Sequence, residues 1–128
     1  MQRNDSGGII ISCDFCGTDW DAYDETYANP MVEGHHGSVI CLTCTKRALE
    51  EMTPPGVPYR CAMCLREGLD ADRPRWIHPA PAPSPGLNPG AIVCRACIRQ
   101  AARRFHKDPD VQWQWSEITR DVRAGLDD

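Results

Sequence analysis

Cys13-Asp14-Phe15-Cys16-Gly17 and Val39-Ile40-Cys41-Leu42-Thr43-Cys44 decide the fold of this chain. Each stretch holds two cysteines with two residues between them. The pattern returns at Cys61-Ala62-Met63-Cys64 and at Ile92-Val93-Cys94-Arg95-Ala96-Cys97. These four pairs use all 8 cysteines. Two thiolates so close in sequence form one edge of a tetrahedral site, so four pairs supply two centres of four sulfurs each. The expected cofactor is zinc, two structural ions per chain, held by Cys13, Cys16, Cys41, Cys44, Cys61, Cys64, Cys94 and Cys97.

A disulfide framework is the competing use of clustered cysteines. The opening Met1-Gln2-Arg3-Asn4-Asp5-Ser6-Gly7-Gly8 leads only into Ile9-Ile10-Ile11, which is no secretory signal, and no apolar run is long enough to span a membrane. A reducing cytoplasmic setting is therefore expected, where such cysteines serve as ligands. A thioredoxin-like redox role requires a βαβ context that this Pro/Gly-rich chain does not supply.

The pairs fall into a repeat. Cys16 and Cys41 are separated by 24 residues, Cys64 and Cys94 by 29. In both units the second pair follows Gly-x-hydrophobic-hydrophobic, Gly37-Ser38-Val39-Ile40 and Gly90-Ala91-Ile92-Val93, and precedes a helical pattern. The first helix is predicted over 42–52, with Leu42, Thr45, Leu49 and Met52 on the inner face and Lys46, Glu50 and Glu51 outside. The second is predicted over 95–106, with Ile98, Ala101, Ala102 and Phe105 inward. Arg99, Arg103, Arg104 and Lys107 are expected on its outer side. Thr53-Pro54-Pro55-Gly56 and Asp108-Pro109 stop the two helices.

The organisation that follows is a finger over 9–53, a linker over 54–58, a second finger over 59–108 and a helical tail over 109–128. The segment 17–37, acidic and carrying Trp20, Tyr23 and Tyr27, is expected to form one or two hairpins. The proline run 79–90 reads as an extended excursion hanging off the second finger. In the tail, Trp115, Ile118 and Val122 define an apolar helix side, with Gly125 near its end. Trp113 and Trp115 are expected to pack back on the fingers, with docking to a partner as the alternative role. At 128 residues, two modules of this size need a staple, and metal is the usual one.

A cross-braced pairing, first with third and second with fourth, normally has a short gap between its middle pairs. Here Cys44 and Cys61 are 16 residues apart, filled by a helix and a proline linker. The sequential pairing fits that spacing and the repeat. Knuckle, hairpin and a second pair opening a helix describe a treble clef, so the expected fold is a small α+β zinc-stabilised protein of tandem treble-clef-like fingers with a C-terminal helix. Cys13-Asp14-Phe15-Cys16-Gly17 and Val39-Ile40-Cys41-Leu42-Thr43-Cys44 resemble the N-terminal zinc-binding domain of the bacterial unfoldase ClpX. The four ligands carry over to Cys13, Cys16, Cys41 and Cys44, and less closely to the second set. That resemblance implies a dimerising module that recruits substrates and adaptor proteins; two copies in one chain resemble such a dimer fused covalently, with a homo-oligomer as the alternative. The chain departs from the pattern in its longer loops, in Leu65 where the first unit has Gly17, and in lacking any G-x-x-x-x-G-K-[ST] segment.

No catalytic constellation emerges. His35 or His36 ahead of the second pair invites comparison with HNH nucleases, yet the first helix offers no His or Asn to complete a catalytic metal site. His78 and His106 stand apart from them. Asp19, Asp21, Asp24 and Glu25 lack the spacing of a calcium loop and read as a solvated face. With every thiolate committed, no open coordination position is left for Lewis-acid chemistry, and a non-enzymatic protein is expected.

Charge is unevenly spread around the net −4. Residues 8–53 sum to −6, residues 59–108 to +5 and residues 109–128 to −3. Each four-thiolate zinc centre adds about −2. Two functions follow as expectations. The first is a non-membrane protein-interaction or adaptor module whose partner is another protein. The second is nucleic-acid binding by the basic second finger, with Arg73, Arg75, Arg95, Arg99, Arg103 and Arg104 on phosphates and Trp76 stacked on a base.

Overall fold

The computed structural model describes residues 1–5, 8–20 and 29–123, without the side chains of Asp5, Asp121, Val122 and Arg123. The chain is a small α+β protein built from two hairpin–helix units, each carrying a four-cysteine cluster. Strands β1 (Gln2–Asp5) and β2 (Gly8–Ile11) form an N-terminal hairpin. The first unit contains β3 (Met31–Glu33), β4 (Val39–Cys41) and α1 (Leu42–Glu51). The second contains β5 (Arg75–Trp76), β6 (Val93–Cys94) and α2 (Arg95–Lys107), and α3 (Ile118–Arg123) follows.

The two units repeat one another in their hydrogen bonds. β3 and β5 each begin immediately after a proline, Pro30 and Pro74, whose fixed φ suits the start of a strand. Each strand pairs antiparallel with its partner so that Met31 faces Cys41 and Arg75 faces Cys94. The proline carbonyls accept from the first helical amides, Leu42 N–H to Pro30 O at 2.8 Å and Arg95 N–H to Pro74 O at 3.2 Å. Cys41 and Cys94 stay extended as the N-caps of α1 and α2. The Pro-x-x strand start is a repeat signal that the cysteine spacing overshadows. α1 ends one residue before the expected Met52, where Thr53-Pro54-Pro55 cannot continue a helix.

One core serves both units. It joins Phe15, Ile40 and Ala48 of the first to Met63, Trp76, Val93, Ile98 and Phe105 of the second. α1 packs on α2 and on β5, and α2 packs on β3, so each helix also covers the other unit's hairpin. The knuckle tips cross over in the same way. Phe15 lies 6.0 Å from Trp76 between ring centroids, and the Met63 carbonyl accepts from His35 N–H at 2.8 Å. Thr53 and Arg75 exchange both backbone hydrogen bonds, at 2.9 and 3.0 Å, tying the exit of α1 to β5.

Two expectations need correction, and one element is new. Arg99 does not sit on an outer face of α2: it is buried at 5% exposure, beside Leu49, Met52 and Trp115. The returning tail, through Trp115, covers the part of that helix side around Arg99, while Arg104 and Lys107 stay exposed. The proline segment does not hang free of the first unit. Ser84 Oγ donates to Gly17 O at 3.1 Å, Asn88 N–H donates to Asp14 O at 3.0 Å, and Gly86 is buried against Ser12 and Arg3. It is a strap across the first knuckle. The N-terminal residues form a hairpin whose Arg3 reaches Ser12 Oγ at 2.6 Å and Asp19 at 3.1 Å. Tyr23, Tyr27, Asp21, Asp24, Glu25 and Gly125, with the side chain of Val122, lie outside the described residues.

Candidate metal centres

Each knuckle is a turn that its sequence closes identically. Gly17 N–H donates to Cys13 O at 2.8 Å and Leu65 N–H to Cys61 O at 3.0 Å. Cys13 N–H reaches Thr18 O at 2.9 Å, and Cys61 N–H reaches Arg66 O at 3.0 Å. Asp14 N–H to Val39 O (2.9 Å) and Ala62 N–H to Ile92 O (2.7 Å) then lay each knuckle on its hairpin. The residue after each second cysteine takes positive φ, +80° at Gly17 and +63° at Leu65. Glycine does this freely, whereas an L side chain pays roughly 1–2 kcal/mol.

These turns bring the sulfurs together in the sequential pairing. Cys13, Cys16, Cys41 and Cys44 form one cluster and Cys61, Cys64, Cys94 and Cys97 the other, with all sulfurs of a cluster within 4.8 Å of one another. Between the pairs, Cys13–Cys44 is 3.7 Å, Cys16–Cys41 3.8 Å, Cys61–Cys97 3.8 Å and Cys64–Cys94 3.9 Å. A tetrahedron with Zn–S bonds of about 2.3 Å has S···S edges of roughly 3.8 Å. A disulfide would need about 2.05 Å. The donor set and its dimensions suit two zinc ions.

Backbone amides aim at the sulfurs and offset part of their charge. Cys44 N–H lies 3.4 Å from Cys41 Sγ; Met63, Cys64 and Cys94 N–H all converge on Cys61 Sγ, at 3.3, 3.5 and 3.4 Å. Crowding couples the thiols. Cys61 is pushed up to about 11 by its hydrogen bond with Cys94, while Cys94 is pulled down to about 2 by the same contact. Without a cation the four cannot all ionise, so metal uptake is coupled to proton release.

The side chain that reaches the outer sulfur differs between the clusters, at the position five residues after the first cysteine. Thr18 Oγ1 lies 3.2 Å from Cys16 Sγ in the first. In the second, Arg66 Nε donates to Cys64 Sγ at 3.3 Å and its Nη2 to Cys94 Sγ at 3.7 Å. The Cys64 sulfur above all, then Cys94, holds the guanidinium above its ordinary pKa.

The other residues singled out by sequence do not gather into one site. Trp76 is 1% exposed; its Nε1–H donates to Glu51 Oε1 at 3.0 Å, and it presents no face to a base. Arg75 donates to Thr53 Oγ1 at 3.3 Å, and Arg73, Arg95 and Arg103 are half-buried. Arg104 is exposed and reaches Glu33 O at 3.4 Å. Trp115 is 7% exposed, with its N–H on His106 Nδ1 at 2.9 Å, and Trp113 packs partly on the core. His78 meets Trp76 edge-on at 5.5 Å, and His35 and His36 occupy an exposed turn. Among the described residues no histidine or acidic side chain joins a ligand cluster.

One feature was invisible in the sequence. Between the N-terminal hairpin and β3–β4 lies an open groove of about 260 Å³ lined by Ile11, Trp20, Pro30, Met31, Val32 and Val39. Trp20 is 44% exposed there, and Ile9 of the same hairpin is 68% exposed. Glu33 and Asp108 complete the wall. It depends on a hairpin too short to announce itself by periodicity.

The two hairpin–helix units with their four-cysteine clusters constitute a tandem treble-clef-like zinc-finger architecture. Among the described residues, no helix is long and apolar enough to cross a membrane. Compared with known proteins, the chain matches no family model, no curated protein and no solved structure.

Proposed function

We propose that the chain is a non-catalytic, zinc-stapled platform that binds another polypeptide through the groove beside its N-terminal hairpin. The observation that carries this reading is the exposed Trp20 over an apolar groove with Glu33 and Asp108 at its wall. Exposed aromatics in a concavity are what anchor-type recognition uses, and the acidic wall selects a partner with an apolar anchor flanked by basic residues. Zinc at both clusters supplies the rigidity, since a core this small needs metal to hold a fixed surface. The eight cysteines are the ligands, in a reducing, cytoplasmic setting. Residues 9–53 and 59–108 are the two fingers, 54–58 their link and 109–128 a tail, of which Trp115 lies beside Arg99 of α2.

The crossed packing of the two units supports the likeness to a fused pair of ClpX-type zinc-binding modules, working as a monomer. The nucleic-acid reading loses its stacking residue with Trp76 and its central cation with Arg99, both buried. The burial of Trp115 and the partial packing of Trp113 favour cis packing over docking for the tail.

The test uses the zinc-loaded full chain against a library of twelve-residue peptides carrying one apolar anchor with basic, neutral or acidic flanks. Basic-flanked peptides are expected to be enriched, and Trp20→Ser to weaken the best of them about tenfold or more. Equal capture of all three classes, or unchanged affinity in Trp20→Ser, refutes the assignment of this groove.

A further inference from the structure

The two clusters are alike in ligands and in burial: Cys16 and Cys64 are each the half-buried member of an otherwise buried set. Both outer sulfurs are therefore partly exposed. The proline strap covers Ser12 and Gly17 yet leaves Cys16 half-buried, as Cys64 is. The side chain hydrogen-bonded to the outer sulfur does differ, Thr18 in one and Arg66 in the other. A neutral hydroxyl offers one hydrogen bond; a guanidinium offers a positive charge and two donors, on Cys64 and on Cys94. Four thiolates around one Zn²⁺ leave about two negative charges, and these reside on the sulfurs. In the second centre a cation hydrogen-bonded to two of the sulfurs draws part of that density away. In the first centre it stays on Cys16.

We propose that Cys16 is a modification site for soft carbon electrophiles of the α,β-unsaturated carbonyl class, and that Arg66 protects the equivalent Cys64 from the same reaction. This rests on both clusters holding zinc. In the step, the Cys16 sulfur lone pair forms a bond to the β-carbon of the electrophile. The C=C π pair moves toward the carbonyl, and the α-carbon takes a proton from water, releasing hydroxide. The product is a neutral thioether, so the first centre is left with three thiolates and binds its metal less tightly. The second remains four-coordinate at the moment of attack.

The experiment treats the zinc-loaded full chain with less than one equivalent of N-ethylmaleimide in the presence of excess zinc, and maps the label by mass spectrometry at early times. Sub-stoichiometric reagent reads the first event, before loss of one metal can affect the other unit. Cys16 is expected to label about 3- to 10-fold faster than Cys64, the range for an exposed charge-assisted contact. Arg66→Thr should raise the Cys64 rate to that of Cys16. Thr18→Arg, a change in the other unit, should lower the Cys16 rate by a similar factor. Equal labelling in the unaltered chain, or rates indifferent to both substitutions, overturns the proposal. Native mass spectrometry of the starting material separates this from failure of the zinc reading: two ions per chain with equal labelling refutes the role of Arg66 alone, and no metal refutes both.

Discussion

Replacing Cys41 by serine tests whether the two units stand or fall together. Cys41 is a ligand of the first cluster, fully buried, and the N-cap of α1. Serine is itself a favourable N-cap, so the helix start keeps a hydrogen-bond acceptor and the change falls mainly on the metal. Structural zinc contributes roughly 10–16 kcal/mol to folding of small fingers, against a total stability of about 5–15 kcal/mol for a domain. Losing even half of the first centre's contribution is therefore enough to unfold the first unit. Its departure uncovers Trp76, against which Phe15 packs at 6.0 Å. Phe or Trp buries about 150–250 Å², worth about 4–6 kcal/mol each at 25 cal/mol per Å². The second unit thus loses stabilisation comparable to its own margin. The expected result is fewer than one zinc per chain by elemental analysis, with loss of amide protection in α2 as well as α1. A variant that holds one zinc, with α2 protected as in the unaltered chain, would refute the shared-core argument.

Other outcomes follow from the same contacts. Trp76→Ala should cost about 3–5 kcal/mol in denaturant unfolding, whereas Trp76→Phe, which keeps most of the packing and loses the Glu51 hydrogen bond, should cost about 1–2 kcal/mol. Gly17→Ala should destabilise by more than about 1 kcal/mol, because φ is +80° and the new Cβ would lie 2.0 Å from Ser84 Oγ; Leu65→Gly should be neutral to stabilising by up to about 1 kcal/mol. Hydrogen bonding from Ser12, then from Arg3, holds the Asp19 carboxyl below its ordinary pKa, so its contribution is present above the unfolded-state value and disappears as pH falls through the folded one. Because that carboxylate is half-exposed, Arg3→Ala should cost less than about 1 kcal/mol at pH 7 and progressively less in acid, measured by Tm against pH. Independently, acid should expel zinc with uptake of protons by the sulfurs, followed by a metal indicator.

The cysteine pairing, the two helices and the strands leading into them were legible because each depends on neighbours a few residues away. Cys-x-x-Cys, Gly-x-hydrophobic-hydrophobic and Thr53-Pro54-Pro55 are local instructions, and α1 and α2 follow them to within a residue. Arg99 misled for the opposite reason. Helical periodicity places it opposite Ala101, but whether that side meets water depends on Trp115, some sixteen residues on, folding back. Trp76 between Arg75 and Ile77 looks like an exposed stacking residue until Phe15 of the other unit is brought onto it. The strap was misplaced on the same ground, since nothing in a proline run says what it will cross. The N-terminal hairpin escaped notice because four-residue strands carry too little alternation to stand out.

The strap also sets an order of assembly during synthesis. All four sulfurs of the first cluster have been made once Cys44 exists, yet Trp76, Ser84 and Asn88 come much later in the chain. A ribosome adding about 5–20 residues per second leaves the first knuckle without its cover for several seconds. During that interval Asp14 lacks Asn88, Phe15 lacks Trp76, and Gly17 faces water. The half that is translated first thus waits for most of the second half before its own knuckle is closed.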